Sequence, residues 1–143
     1  MAIWKKSFSL HDLNRINQNT AVSQLGIEFT AQGDNWLEAS LTVDQRHCQP
    51  MGLLHGGISA VLAETVGSLA GFCACDADKA VVGVEINASH LKAMRMGERI
   101  TARAVPLRIG RTLQVWQIDI TNSQQTLCCQ SRLTLSVINR DKR

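Results

Sequence analysis

One carboxylate stands alone in a long apolar stretch of the sequence. From Gly56 to Cys75 the only charged side chain is Glu64, and the composition and length of residues 58–75 predict a helix. Burying an unpaired charge is costly even after the surrounding protein relaxes. A structural Glu64 would therefore pair with an arginine or reach water through a gap. A catalytic Glu64 would act as a base or a nucleophile, and its neighbours favour that interpretation.

The neighbouring residues supply the other groups that transfer of an acyl group to water requires. Ser68 follows Glu64 by four residues and so lies on the same helical face. At His55-Gly56 the helix begins, and its first backbone N–H groups are unpaired and carry the positive end of the dipole. These N–H groups can stabilise an oxyanion, and Gly56 lets a carbonyl group approach the backbone. Gln49 and His55 are polar side chains that could orient that carbonyl.

The spacing within this set raises a geometric problem. Gly56 and Glu64 are eight residues apart, which is about 12 Å at the helical rise of 1.5 Å per residue. One straight helix cannot place both groups on a single carbonyl, so either the chain bends sharply or two subunits share the site. The second option predicts an obligate dimer. Small residues at Ala60, Gly67 and Gly71 are expected to line this side of the helix, where a ligand or a second helix could approach closely.

The elements around the helix have the period-two pattern of half-buried strands. Leu37, Ala39, Leu41 and Val43 alternate with polar residues in one of them. Ser9 is a plausible N-cap for a short helix that ends near Gln18. Further strands are predicted at residues 25–30, 81–91, 99–107, 112–121 and 126–138, with turns at Gly33-Asp34, Gly110 and Asn122-Ser123. Connections this short favour antiparallel neighbours. Strands grouped around one helix indicate an α+β fold in which the helix covers one face of the sheet.

Composition narrows the class of protein. The 143 residues fit one domain, and the net charge of +3 lacks the clustered basic residues and interleaved aromatics of a nucleic-acid binder. The cysteines are odd in number and have no metal-binding spacing, so neither a disulfide framework nor a metal site is expected (Cys48, Cys73, Cys75, Cys128 and Cys129). An apolar signal segment is not seen at the start, which predicts a cytoplasmic protein. Glycines and hydroxyl residues dilute the apolar helix, so we expect it to be buried on all sides in protein rather than to cross a membrane.

Several motifs together resemble the signature of hotdog-fold acyl-CoA thioesterases. They are Gln49-Pro50-Met51-Gly52-Leu53-Leu54-His55-Gly56-Gly57, then Ala63-Glu64-Thr65 and Gly67-Ser68. Trp4-Lys5-Lys6, residues 82–90 and Leu127-Cys128-Cys129 extend the resemblance almost end to end, and the branch that the chain resembles is that of bacterial 1,4-dihydroxy-2-naphthoyl-CoA hydrolases. The resemblance implies a single hotdog domain over residues 1–143, in which five or six antiparallel strands wrap around one long helix. It also implies dimers joined edge to edge, paired into tetramers, with active sites between subunits.

The resemblance also assigns roles to individual residues. Glu64 would be the nucleophile or general base, and Ser68 would help to place the attacking water. The Gly56 amide would polarise the thioester carbonyl, oriented by His55 and Gln49. Coenzyme A is part of the substrate, and no separate cofactor is implied. The positions that would hold coenzyme A are Gly83, His90, Leu91, Lys92, Ala93, Arg108, Gly110, Arg111 and Thr112. Met51 and Lys92 stand where relatives often carry Phe and Arg, which could alter the acyl pocket and the phosphate contact.

The substrate and some alternatives stay open at this stage. The resemblance implies hydrolysis of 1,4-dihydroxy-2-naphthoyl-CoA in menaquinone biosynthesis. Two other thioesterase functions are alternatives to this assignment. One is proofreading of misloaded aryl carrier proteins, with an acyl carrier protein as partner, and the other is hydrolysis of a broad range of acyl-CoA substrates. A non-catalytic acyl-CoA-binding domain would not need Glu64. A cysteine nucleophile at Cys48, beside His47 or near His55, lacks a third orienting group, and we expect Cys48 and His47 to be an ordinary surface loop pair.

Overall fold

Six antiparallel strands form one sheet against a single long helix. The computed structural model describes residues 1–140. The elements in chain order are α1 (Leu10–Ile16), α2 (Ala21–Gln24), β1 (Glu28–Gln32), β2 (Leu37–Thr42), a 3-10 turn (Gln45–His47), α3 (Gly56–Ala74), β3 (Lys79–His90), β4 (Arg99–Ile109), β5 (Leu113–Thr121) and β6 (Leu127–Asn139). The strand order across the sheet is β1-β2-β4-β5-β6-β3. This architecture confirms the predicted α+β arrangement.

The core lies between α3 and the face of the sheet that packs against it. Alternate residues of β2, β5 and β6 are fully buried there, as the period-two pattern predicted. A short chain of polar contacts crosses this core. Trp116 donates its indole N–H to the side-chain oxygen of Gln114 (2.8 Å), and the Gln114 amide donates to the Gly71 carbonyl (3.2 Å). Because these buried polar groups satisfy one another, β5 holds α3 at a fixed position along its length.

Two glycines of α3, Gly67 and Gly71, face the sheet. The expectation that they line a side of the helix that a ligand or a second helix could approach is therefore wrong. A Cβ atom on Gly67 would lie 2.6 Å from the Leu133 side chain. A Cβ atom on Gly71 would collide with Leu135 and Gln114. Small residues are needed here because the helix axis lies close to the sheet. Only Ala60 of the predicted small-residue face keeps a partly exposed position.

The long helix is not buried on all sides, contrary to the expectation from its composition. Gly57 and Glu64 are exposed, and Val61, Ser68, Leu69 and Phe72 are only partly covered. By length and mean hydropathy (1.4) α3 could cross a membrane, but 56% of that stretch is buried inside the fold. The helix therefore has one face in the core and one face that the single chain leaves open.

Other differences from the predicted elements are local, except for one strand pairing. The strand predicted at residues 25–30 lies at Glu28–Gln32, and α2, capped by Thr20, was not predicted. Ile16, the last residue of α1, is 54% exposed. The short connections suggested that β3 and β4 are neighbours, but β3 pairs with β6 and lies at the edge of the sheet. This edge position matters for the site, because β3 runs beside the open face of α3.

Candidate active site

The first turn of α3 presents one unpaired backbone donor. Here His55 is the N-cap, and its ring Nδ1 accepts the N–H of Gly57 at 2.8 Å. Its carbonyl accepts the N–H groups of Ile58 (2.9 Å) and Ser59 (3.3 Å). Within residues 1–140 the N–H of Gly56 is therefore the one donor of this turn that has no acceptor. An unpaired N–H at the positive end of a 19-residue helix suits an oxyanion.

A cavity of about 340 Å³ opens beside this N–H. Its lining brings together Gln49 and Gly56, which were predicted to be catalytic, and the stretch from His90 to Ala93, which was predicted to hold coenzyme A. Four further lining residues were not predicted (Leu53, Leu54, Ser59 and Met94). Leu53, Leu54 and Met94 reach the cavity through backbone pairing of loops: Leu53 bridges Arg95, and the Leu54 N–H donates to the Met94 carbonyl at 2.8 Å. Pairing between distant loops has no local sequence signal, which is why these positions were missed.

Two polar side chains are held at the wall of this cavity. The side-chain oxygen of Gln49 accepts the N–H of Met51, so its NH₂ group is the end left to donate to a ligand. The ring of His90 lies against the start of the helix, where a Cβ atom on Gly56 would be 3.0 Å from Nε2. Glycine at position 56 therefore serves two purposes: it exposes the N–H and it makes room for His90.

Glu64 lies in a different place, on the open face of α3 next to the edge strand. A Cβ atom on Gly83 would be 2.8 Å from Oε2 of Glu64, so the carboxylate rests on the β3 backbone. Glu64 has no ion pair or hydrogen bond to another residue in the described part of the chain. Of the two structural alternatives, pairing with an arginine is not seen in the described residues, whereas the exposed Glu64 does reach water. Ser68, one turn further along α3, is partly exposed on the same side.

The predicted site residues form three groups that one chain does not bring together. The first is the cavity at Gly56, and the second is the carboxylate at Glu64 beside Gly83, about 12 Å along the helix. The third is the β4–β5 turn, where Gly110 and Arg111 line a separate cavity with residues of the opposite end of α3, such as Cys75. The exposed Arg108 and Thr112 flank that turn. A helix of 19 residues spans about 28 Å, so the first and third groups are far apart within one chain.

Gly83→Ala provides a test of the position of Glu64. The added methyl group would meet the carboxylate, which is the mobile end of a side chain, so we expect Glu64 to move and the fold to persist. Thioester turnover should fall by about tenfold to a hundredfold, because small displacements of a reacting group are costly. Parallel measurement of kcat and the midpoint of thermal unfolding checks this. Unchanged turnover would show that this contact with β3 does not position the carboxylate.

The histidines and cysteines near the site do not form a nucleophilic pair. His47 is 1% exposed, so the expectation of a surface loop pair is wrong for it. Its Nδ1 accepts the Asp44 N–H (2.9 Å) and its Nε2 lies 2.6 Å from the Leu25 carbonyl, which uses both ring nitrogens structurally. Cys129 lies nearest to His90, with Sγ 3.9 Å from Nδ1. Burial raises the pKa of the Cys129 thiol, so it stays protonated and is a poor nucleophile.

Comparison with known proteins agrees with this fold. The family model described as Thioesterase superfamily matches residues 51–129. A crystal structure of a thioesterase from Haemophilus influenzae is similar with a TM-score of 0.93 and 56% identity, covering 96% of this chain and 95% of that one. The proofreading thioesterase EntH of Cronobacter turicensis is 47% identical over 95% of this chain and 98% of its own length. The 1,4-dihydroxy-2-naphthoyl-CoA hydrolase of Escherichia coli is 46% identical, with 95% and 99% covered.

The chain therefore belongs to the thioesterase superfamily and has the hotdog fold. It is a thioester hydrolase, as the resemblance in its motifs implied. The match over residues 51–129 runs from the loop before α3 to the first residues of β6. It includes the unpaired Gly56 N–H, the Glu64 carboxylate and the His90 ring.

Proposed function

We propose that the protein hydrolyses an aromatic acyl-CoA, 1,4-dihydroxy-2-naphthoyl-CoA, to the free acid and coenzyme A, as a step of menaquinone biosynthesis in the cytoplasm. The observation that carries the proposal is the unpaired Gly56 N–H at the wall of a cavity whose buried lining is mainly apolar and which has the exposed Lys92 at its mouth. An apolar interior suits an aryl group, and an exposed cation suits the phosphates of coenzyme A. The name of the Escherichia coli relative at 46% identity supports this substrate.

The proposed reaction places the thioester carbonyl oxygen on the Gly56 N–H, with the Gln49 NH₂ group and His55 as orienting groups. Glu64 either takes a proton from the attacking water or attacks the carbonyl carbon itself, and Ser68 helps to place the water. When Glu64 acts as a base, water attacks the carbonyl carbon, the carbon–sulfur bond breaks and the thiol leaves with the proton that Glu64 took. When Glu64 attacks, the carbon–sulfur bond breaks as a mixed anhydride forms, and water then hydrolyses the anhydride to the free acid and the Glu64 carboxylate while the thiolate takes up a proton. Negative charge that develops on the carbonyl oxygen is stabilised by the Gly56 N–H and the helix dipole.

A second copy of the chain would complete this site. Along the edge strand β3, Val82 is 47% and Val84 is 60% exposed. Exposed apolar side chains on an unpaired strand edge are normally covered by another chain or element. Pairing of β3 with β3 of a second copy would extend the sheet and bring the Glu64 of one subunit towards the Gly56 of the other. Pairs of such dimers would form the tetramer, and Arg108 and Arg111 would meet coenzyme A there.

Proofreading of aryl carrier proteins is the second candidate. The proofreading thioesterase EntH is as similar to this chain as the coenzyme A hydrolase is, at 47% against 46% identity. A carrier protein and coenzyme A present the same thiol arm, so the cavity around Gly56 would accept either. The two functions differ in what lies at the Lys92 mouth, which is a protein surface in one case and a nucleotide in the other.

One kinetic comparison separates these functions. It measures kcat/KM for 1,4-dihydroxy-2-naphthoyl-CoA, benzoyl-CoA, a fatty acyl-CoA and an aryl-loaded carrier protein with the same enzyme preparation. We expect kcat/KM for the naphthoyl thioester of coenzyme A to exceed kcat/KM for the others by at least about tenfold. A tenfold ratio corresponds to about 1.4 kcal/mol of transition-state stabilisation. A preference for the carrier protein would favour proofreading. A flat profile would contradict the menaquinone assignment and favour a broad acyl-CoA thioesterase.

A further inference from the structure

Ser59 presents a buried hydroxyl group to the cavity beside Gly56. It is 1% exposed and lines the cavity. Its backbone N–H is used on the His55 carbonyl, but its hydroxyl has no hydrogen-bond partner within residues 1–140. No side-chain oxygen or nitrogen that is wholly buried in that part of the chain lacks a partner. The small exposed area of Ser59 therefore lies at Oγ, which faces the cavity and not the packed core.

The cavity has a buried inner end and an exposed mouth. Ser59, Met94 (4% exposed) and Leu54 (8%) form the inner end, whereas Leu91 is 58% exposed at the mouth near Lys92. Coenzyme A and carrier proteins are too large and too polar for the inner end, so the thiol side of a bound thioester must lie at the mouth. The acyl group must then point inward. The inner wall that it meets combines apolar side chains with a single unpaired hydroxyl group.

The position of Ser59 along the helix defines which part of the acyl group it can reach. Ser59 follows Gly56 by three residues, which places it on the same helical face about 4.5 Å further along the axis. If the carbonyl oxygen lies on the Gly56 N–H, the serine hydroxyl lies beside the atoms next to the carbonyl carbon. A polar substituent there would satisfy Oγ, whereas a substituent at the far side of an aromatic ring would lie beyond its reach.

We propose that Ser59 is a specificity-determining residue that hydrogen-bonds a hydroxyl group adjacent to the thioester on the acyl group, as in a 2-hydroxyaryl thioester. The inference rests on the proposed function, because that function places the carbonyl at Gly56. Sites built around a hydrogen bond to a substrate hydroxyl discriminate strongly against analogues that lack it, since the buried partner is then left unpaired. Ser59 thereby selects among aryl thioesters and is not required for the bond cleavage itself.

The test compares 2-hydroxybenzoyl-CoA, 4-hydroxybenzoyl-CoA and benzoyl-CoA with the wild-type protein and the Ser59→Ala variant. Wild type should prefer the 2-hydroxy substrate. Ser59→Ala should lower kcat/KM for that substrate by about tenfold and change the other two by less than about twofold, the size expected for loss of one hydrogen bond. Ser59→Cys keeps the volume with a weaker donor and should reduce the preference in the same direction. Ser40→Ala is the matched control, because Ser40 is similarly buried (3% exposed) but lies on β2, bonds Thr101 at 2.9 Å and does not line the cavity.

Three results would overturn the inference. In the first, Ser59→Ala leaves the preference for the 2-hydroxy substrate unchanged. In the second, it lowers all three kcat/KM values equally, which a purely structural role would produce and which Ser40→Ala would then reproduce. Either result leaves the proposed hydrolysis of aryl thioesters standing. In the third, the wild-type protein hydrolyses none of the three aryl thioesters, and the proposed function fails together with the inference.

Discussion

Glu64→Gln is expected to lower kcat for thioester hydrolysis by about 10²–10⁴-fold, the range for loss of a general base. The amide has nearly the same shape as the carboxylate but can neither accept a proton from water nor attack the carbonyl as an anion. The fold should not change. Glu64 is exposed on α3 and makes no ion pair or hydrogen bond within residues 1–140, so its removal breaks no contact that stabilises the described structure.

Steady-state kinetics with an aryl-CoA and thermal unfolding of the same samples check this prediction. Glu28→Gln is a matched control, because Glu28 is an exposed carboxylate like Glu64 but lies on β1, at the edge of the sheet opposite β3. The control should keep wild-type turnover and unfolding. Turnover of Glu64→Gln within about threefold of wild type would mean that the carboxylate is not a general base, since that role carries a much larger effect.

The local pattern of the sequence predicted elements well and pairings poorly. The bounds of β4, β5 and β6 agree with their period-two segments within about two residues, because each strand buries one face and ends at a turn such as Gly110. The position of β3 was not predictable in this way. The sequence of β3 alternates between apolar and polar residues as the other strands do. Its pairing with β6, however, joins segments about 50 residues apart. Periodicity contains no information on which distant strand supplies the partner.

The same limit applies to the candidate site. Gly56, Gln49 and Glu64 stand out because a helix start and a lone carboxylate are visible in the sequence. Ser59 does not, because a serine in an apolar helix has the same appearance whether its hydroxyl bonds the preceding turn or faces a cavity. Gly67 and Gly71 were misassigned for a related reason. A small residue indicates that something lies close, but only the packing shows that the close neighbour is the sheet.

Mixing two inactive variants is expected to restore activity if the site is shared between subunits. One variant is Glu64→Ala, and the other carries Gln49→Ala and His55→Ala together. In a heterodimer one site combines both defects, whereas the other takes Glu64 from one subunit and Gln49, His55 and Gly56 from its partner and is intact. Random exchange in a two-fold dimer yields half heterodimers, so about a quarter of wild-type turnover should return. Copurification through two different affinity tags would isolate the heterodimers, in which one of the two sites is intact. Turnover per dimer should then reach about half of the wild-type value.

If two subunits share the site, the turnover restored by mixing should require pairing of β3 with β3 of the partner subunit. A site within one chain would not require this pairing. Val84→Asp in both variants places a charge on the exposed strand edge, where a paired β3 would bury it, so it should prevent dimers in gel filtration and abolish the recovery. If mixing restores no turnover although heterodimers form, Glu64 and Gly56 must act within one subunit. The chain would then have to close the distance of about 12 Å by bending α3. A continuous 19-residue helix held to the sheet through Gly67 and Gly71 opposes such a bend, which is why we expect the subunits to share the site.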